Sequence, residues 1–343
     1  MTDTERLLRD VSRSFHLSLR VLPKPVRAQV GLAYLLARAS DTVADTQAVP
    51  RERRRELLER MRKGDYSSVG ALAKDQALPA ERMLLERLGE CAARRDAFGA
   101  RDREFIAQLL DVIVTGQLFD LERFPEGTVT ALRDDAELDR YTYLVAGCVG
   151  EFWTRICAEH LPAFAALDQA EMYRLGVRFG KGLQLVNVLR DTAADLRIGR
   201  CYLPVAKPEL LLDPARNAAF AAEYRRWLDA ALDHLDAGWR YTLNIPRSLK
   251  RLRLACVWPI WLGLETIALL RRANPLDPAQ RVMVPQGRVY LMLARSALSA
   301  GSDRLLNGAY QTLRRRALAP AHPGLPSPAT PGEGKGVRGD PAR

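Results

Sequence analysis

Apolar positions recur at three- and four-residue intervals along most of the chain. This periodicity predicts helices near 3–20, 25–46, 51–62, 79–95, 101–122, 134–159, 168–195, 216–238, 248–272 and 286–314. Pro and Gly fall mainly between these segments, at Pro23, Pro25, Gly64, Pro125, Gly127, Pro162, Gly199, Pro204, Pro246, Pro275 and Pro278, where they start or stop helices. No internal repeat of fixed period occurs. From Leu318 the pattern gives way to "LAPAHPGLPSPATPGEGKGVRGDPAR", which has almost nothing to bury. The expected organisation is one all-α helical domain over 1–317 followed by a disordered tail over 318–343.

Two runs break the apolar pattern in the same way. In "GLQLVNVLRDTAADLRIGRCYLP" (182–204), Gln184, Asn187, Asp191 and Asp195 form one stripe at 100° per residue, with Leu183, Val186 and Leu189 beside it. In "AYLLARASDTVADT" (33–46), Tyr34, Arg38, Asp41 and Asp45 share a face among Leu32, Leu35, Leu36 and Val43. Each run carries an Arg shortly before Asp-x-x-x-Asp. Paired carboxylates one helical turn apart repel, the more so where water is scarce, so both stripes ask for a cation and are expected to face a cleft.

Composition narrows the choice of cation and of partner. At 343 residues with 48% hydrophobic positions the chain can fill a large core, and aromatics are only 7%, which favours helices over sheets. The net charge of +11 points to an anionic partner: nucleic acid, a membrane surface or a phosphorylated substrate. No nucleic-acid-binding signature accompanies the basic clusters "RERRRELLERMRK" and "PRSLKRLRL", which also read as amphipathic solvent faces. Cys91, Cys148, Cys157, Cys201 and Cys256 are scattered and odd in number, and the four His are dispersed, so the expectation is a reducing cytoplasm and no zinc or iron site. The charged start "MTDTERLLRD" reads as neither secretory signal nor anchor. "LACVWPIWLGLETIALL" (254–270) is at the short limit for a membrane span and holds Pro259 and Glu265, so a buried core helix is expected there.

Carboxylates without imidazole or thiolate select a hard cation, and Mg²⁺ takes one or two protein carboxylates while keeping waters and phosphate oxygens. Arg38 and Arg190 suit the phosphate, because a guanidinium binds it through paired hydrogen bonds and stays charged. Between the stripes, "YTYLVAGCVGEFWTRI" (141–156) sets Tyr141 above the small residues Val145, Ala146, Val149 and Gly150. Two readings of those small residues stand: close helix packing, or room for a long apolar ligand with Tyr141 near its reactive end.

"DTVAD" preceded by Tyr34 and Arg38, "YTYLVAGCVG", "QLVNVLRDTAADLRIGRCYLP" and the N-terminal "SRSFHLSLRVLP" resemble, in order and spacing, the squalene and phytoene synthase family over roughly residues 10–310. The resemblance implies an isoprenoid-synthase helical bundle around a central apolar cavity. It implies that Asp41, Asp45, Asn187, Asp191 and Asp195 hold Mg²⁺ and diphosphate, and that Arg38, Arg190, Ser14 and Arg200 contact phosphate oxygens. Tyr34 belongs to the same substrate-binding motif. Phe15, Val145, Val149, Gly150 and Gln184 would line the prenyl channel, with Tyr141 handling a proton or carbocation.

Residues 253–270 and 282–298 resemble squalene synthases more than phytoene synthases. The implied activity is therefore head-to-head joining of two farnesyl diphosphates to presqualene diphosphate, followed by NADPH-dependent reduction to squalene. Phytoene, dehydrosqualene or presqualene diphosphate synthesis without reduction is the alternative. Pro285 and Gln286 stand where eukaryotic squalene synthases often carry a basic residue, and no G-x-G-x-x-G fingerprint is present. The expected location is cytoplasmic, with peripheral membrane contact for product release, no transmembrane segment and no nucleic-acid partner.

Overall fold

A computed structural model describes residues 3–12 and 15–319. Fifteen helices follow one another: α1 (Asp3–Ser12), α2 (Phe15–Val21), α3 (Lys24–Asp45), α4 (Arg51–Arg62), α5 (Pro79–Glu86), α6 (Leu88–Asp96), α7 (Ala100–Arg123), α8 (Asp135–Thr142), α9 (Cys148–His160), α10 (Pro162–Ala165), α11 (Gln169–Arg197), α12 (Asn217–Asn244), α13 (Lys250–Leu270), α14 (Gln286–Ser299) and α15 (Asp303–Leu318). The fold is all-α. Its strands among the described residues are the two-residue β1 (Thr130–Ala131) and β2 (Arg200–Cys201). Ser14 lies outside the described residues, as do the side chain of Phe15 and the expected tail beyond Ala319; Leu318 itself ends α15.

The helix pattern follows the apolar periodicity, apart from the unexpected one-turn α10, the extension of α12 from 238 to Asn244 and four further differences. The segment expected over 3–20 divides into α1 and α2, and that over 79–95 divides at Arg87, whose backbone (φ −99°, ψ 12°) leaves the helical range. The segment over 286–314 breaks before Ser302, whose side chain caps α15 by accepting from the Leu305 amide. Within 134–159 the chain widens into a π turn over Tyr143–Gly147. A π turn inserts one residue into the helical repeat, so side chains before and after it no longer share a face. Elsewhere the boundaries follow ordinary capping. Asp134 accepts from Glu137 N at 2.8 Å and Asp168 from Glu171 N at 3.2 Å, contacts that typically contribute about 1 kcal/mol each.

Two apolar clusters form the core. One gathers α1–α7, α9 and α10 with the start of α11, the end of α12 and the start of α13, and is built on Leu35, Leu36, Leu57, Leu58 and Leu84; the other gathers α8, α15 and the remaining lengths of α11, α12 and α13 around Leu189, Leu228, Ile260 and Trp261. The 29-residue α11 packs along α12 on one side and α9 on the other. At the α9 crossing the backbones nearly touch. A Cβ on Gly150 would lie 2.0 Å from Gly176 O, and one on Gly180 would lie 2.1 Å from Ala146 O. Of the two readings of the small residues, close packing accounts for Ala146 and Gly150.

α13 is the one helix among the described residues long and apolar enough to cross a membrane, and 67% of its most apolar window is buried. The five cysteines are free and buried.

Candidate active site

The site forms where the two clusters meet. α3 and α7 lie side by side in the first cluster and supply Asp41, Asp45, Gly116, Gln117 and Asp120; α8, the π turn, α11 and β2 supply Tyr141, Val145, Gln184 and Arg200, and Tyr202 follows β2. Together they enclose a cavity of about 240 Å³. Gly116 fits this junction because a Cβ there would stand 2.9 Å from Val145 Cγ1.

A short backbone device aims the last two residues. Two residues past the end of α11 the chain turns at Gly199, whose φ of +85° suits glycine and whose Cβ, if present, would lie 2.7 Å from Thr128 O. The chain then pairs in parallel with β1, Thr130 opposite Arg200 and Ala131 opposite Cys201. This pairing fixes the "LRIGRCYLP" segment against the 124–132 loop and turns Arg200 and Tyr202 toward α7. Tyr202 donates its hydroxyl to Asp120 Oδ2 at 2.6 Å. Arg200 Nη1 lies 3.4 Å from Asp45 Oδ1 and 3.9 Å from Asp120 Oδ2. The Tyr141 ring stacks on Tyr202 with centroids 4.5 Å apart.

Negative charge is crowded here. Burial pushes the Asp120 carboxyl up to about 7, against the pull of Arg200 and the Tyr202 hydroxyl. Burial, then neighbouring Asp191, raises Asp195 to about 7. Asp41 is raised to about 6 by burial, although Arg38 and a 2.5 Å hydrogen bond from Gln117 Nε2 favour its ionised form. Burial and the nearby Asp120 hold Tyr141 well above the ordinary phenol value, so Tyr141 is a neutral phenol at physiological pH. The Asp120 Oδ1 atom is buried with no hydrogen-bond partner.

Of the residues expected from sequence, Asp41, Asp45, Tyr141, Val145, Gln184 and Arg200 line the cavity. Asp195 stands at its edge, electrostatically coupled to Asp45, Asp120 and Arg200. The rest lie elsewhere in this state. Arg38 pairs with Glu81 at 2.5 Å, with Tyr34 half-buried nearby. Arg190 folds onto Asp191, its two nitrogens 2.6 and 3.0 Å from the carboxylate oxygens. Asn187 is exposed one turn before Asp191. Val149 packs on the first apolar cluster and Gly150 on Gly176, so the π turn separates them from Tyr141 and Val145.

Gln117, Asp120 and Tyr202 were not expected from sequence. The signal for the first two was the same as for the Asp stripes: Gln117 and Asp120, at i and i+3, interrupt an apolar helical face that includes Ile113, Val114 and Leu121. Tyr202 carried no such signal, since only the β1–β2 pairing brings it beneath Asp120.

The donor set fits a hard cation. It is all oxygen, burial raises three of its carboxylates to about 6 or 7, and one buried carboxylate oxygen is unpartnered. Among the described residues no three His, Cys, Asp or Glu side chains converge tightly enough to hold an ion alone. That spacing suits an ion that completes its shell with water and substrate oxygens.

Comparison with known proteins agrees with this picture. A presqualene diphosphate synthase of Rhodopseudomonas palustris is 31% identical over 56% of the chain, and one of Zymomonas mobilis is 30% identical over 67%. The matches span 58% and 67% of those relatives' own lengths. The solved structure of TcSQS in complex with a ligand shares the fold at a TM-score of 0.74, with 20% identity over 92% of this chain and 96% of that one. The family model described as squalene/phytoene synthase matches residues 8–288, a span that contains both Asp stripes, Asp120, Tyr141 and Tyr202, and the chain belongs to that family.

Proposed function

We propose that this protein joins two farnesyl diphosphates head to head, expelling one diphosphate and forming the cyclopropyl product presqualene diphosphate. The observation that carries this reading is the cavity itself: carboxylates from two helices face a neutral, stacked tyrosine pair and one guanidinium at the seam of the core. Bound by Asp41, Asp45, Asp191, Asp195 and Asn187, Mg²⁺ would neutralise charge on the departing diphosphate. Arg200 adds fixed positive charge at the cavity wall. Arg38 and Arg190 bind phosphate by exchanging it for their present partners Glu81 and Asp191.

The organic half of the reaction needs dry, cation-tolerant walls. The stacked faces of Tyr141 and Tyr202 present π-electron density to a carbocation. Because Tyr141 stays protonated, the proton lost in closing the cyclopropane passes to the released diphosphate, with the Tyr141 hydroxyl as a hydrogen-bonding guide. A cavity of about 240 Å³ suits the diphosphate end of a substrate, so the prenyl chains extend beyond it between the helices.

The second reading adds NADPH-dependent reduction to squalene, and the resemblance of residues 253–298 to squalene synthases favours it. The two relatives named presqualene diphosphate synthases favour a product that keeps its second diphosphate. Incubation with farnesyl diphosphate and Mg²⁺, with and without NADPH, followed by mass spectrometry, decides between them. Squalene only in the NADPH tube supports reduction; presqualene diphosphate in both tubes limits the protein to the first step; an unreduced hydrocarbon in both assigns it to the dehydrosqualene or phytoene reading.

Product release at a cytoplasmic membrane face is part of the same proposal. α14 buries only Ser296 and Ser299, and leaves Tyr290 65% and Leu298 88% exposed beside Arg288 and Arg295. Apolar side chains flanked by guanidinium groups are what peripheral contact with anionic lipid requires.

A further inference from the structure

Behind the reaction cavity lies a larger one, of about 570 Å³, bounded by the start of α4, the loop after α7 and the end of α11. Asp120, Leu121 and Arg200 line both spaces, so these three side chains are the partition between them. The rear pocket is strongly basic. Arg51, Arg54, Arg197 and Arg200 line it, against the carboxylates Asp120 and Glu126.

Two of the four guanidinium groups have no carboxylate partner among the described residues. Among the described residues Arg197 donates only to Ala193 O in its own helix, and Arg51 makes no side-chain hydrogen bond or ion pair. Arg54 is built into the wall. It is 3% exposed, donates to Ala44 O and to Glu126, and retains a buried Nε with no acceptor. Two unpaired guanidinium groups therefore line one polar space, with Arg54 and Asp120, each of which holds a buried polar atom without a partner, in its wall. The start of α4 adds to this: Pro50 precedes its first turn and no side chain caps it, so its free amides favour negative charge at the same end.

We propose that this pocket is a second anion site, which receives the inorganic diphosphate expelled from the reaction cavity and lets it leave past Arg200 on the α4 side. The identity of the anion rests on the function proposed above; the pocket's affinity for diphosphate does not. Expulsion generates a multiply charged anion while the other diphosphate stays on the cyclopropyl product. An exit through the front would lead past the carboxylates of both Asp stripes. An exit past Arg200 leads to surplus positive charge, and it separates the leaving group from the cation it could recapture.

Calorimetric titration of the full chain with inorganic diphosphate in EDTA tests this, because without a divalent cation the carboxylate-lined cavity repels the anion and the basic pocket does not. Binding is expected in the wild type and at least tenfold weaker in the Arg51→Gln/Arg197→Gln double variant, with sulfate at equal ionic strength as the control for general charge attraction. Both side chains are at the surface, and an unchanged Tm confirms that the variant is folded. With farnesyl diphosphate and Mg²⁺, the variant should match the wild type in a single turnover and slow several-fold in multiple turnovers.

No diphosphate binding to the wild type in EDTA, or equal binding to the variant, overturns the proposal. So does NADPH, rather than diphosphate, losing affinity in the variant. An absence of turnover with metal-free binding intact would count against the head-to-head reaction and leave the anion site standing.

Discussion

At the scale of single residues the site is a set of carboxylates whose values burial raises. Asp195 illustrates the consequence. Its folded value of about 7 lies above the roughly 3.9 of an unfolded Asp, so the native state holds a proton that the unfolded state releases as pH rises from about 4 to about 7. Stability from this group is full below pH 4 and is lost as pH rises through that window. In EDTA, Asp195→Asn should therefore raise Tm at pH 8, and the gain should shrink to nothing by pH 4; a gain that grows on acidification would contradict the assignment. Asp41→Asn and Asp191→Asn should leave Tm equal or higher and lower turnover by roughly 100- to 1,000-fold, as expected for removal of a group that stabilises developing charge. Near-normal turnover in either would remove these residues from the diphosphate site.

Tyr141 makes a separate claim at the same scale. Tyr141→Phe keeps the stack on Tyr202 and deletes only the hydroxyl. Circular dichroism should be unchanged, while product formation falls about 100-fold or diverts to terpenols. An unaltered rate and product would leave Tyr141 with a packing role alone.

At the scale of elements, local periodicity was enough to read most helices, including the two that carry the Asp stripes, because a one-sided apolar face is written in the sequence within a few turns. Long-range features were not legible. The π turn shifts Val149 and Gly150 away from Tyr141, and no spacing rule announces an inserted residue. The β1–β2 pairing joins residues some 70 positions apart, and without it neither Tyr202 nor Arg200 would reach Asp120. Asp120 and Gln117 were readable in principle, as polar residues on the apolar face of α7. The α9–α11 crossing gives a direct test of the packing account of Gly150. Gly150→Ala places a methyl group against Gly176 O and should cost stability at the upper end of the roughly 1–3 kcal/mol range for overpacking, seen as a lowered Tm; a neutral result would mean that the helices are free to separate.

At the scale of the whole molecule, the two apolar clusters explain why the chemistry sits where it does. α11, α12 and α13 run through both clusters, and the cavity opens at the seam between them, where polar side chains from the two sides face one another. The sequence periodicity anticipates the helical bundle and both stripes; it does not show that Arg38 and Arg190 are occupied by Glu81 and Asp191 before substrate arrives. The rear basic pocket is likewise a property of the assembled molecule, because residues of 47–54, 120–129 and 196–200 meet there only in the fold.

The central claim is that the seam cavity expels one diphosphate from a pair of farnesyl diphosphates. Its most direct test is the stoichiometry of release: farnesyl diphosphate consumed and inorganic diphosphate formed, measured together in Mg²⁺ without NADPH, with an EDTA control. In a reaction that stops at presqualene diphosphate, one diphosphate should appear for every two farnesyl diphosphates consumed, and none in EDTA. One diphosphate for each farnesyl diphosphate, with farnesol as the product, would show simple hydrolysis and contradict the account, as would release that persists undiminished in EDTA.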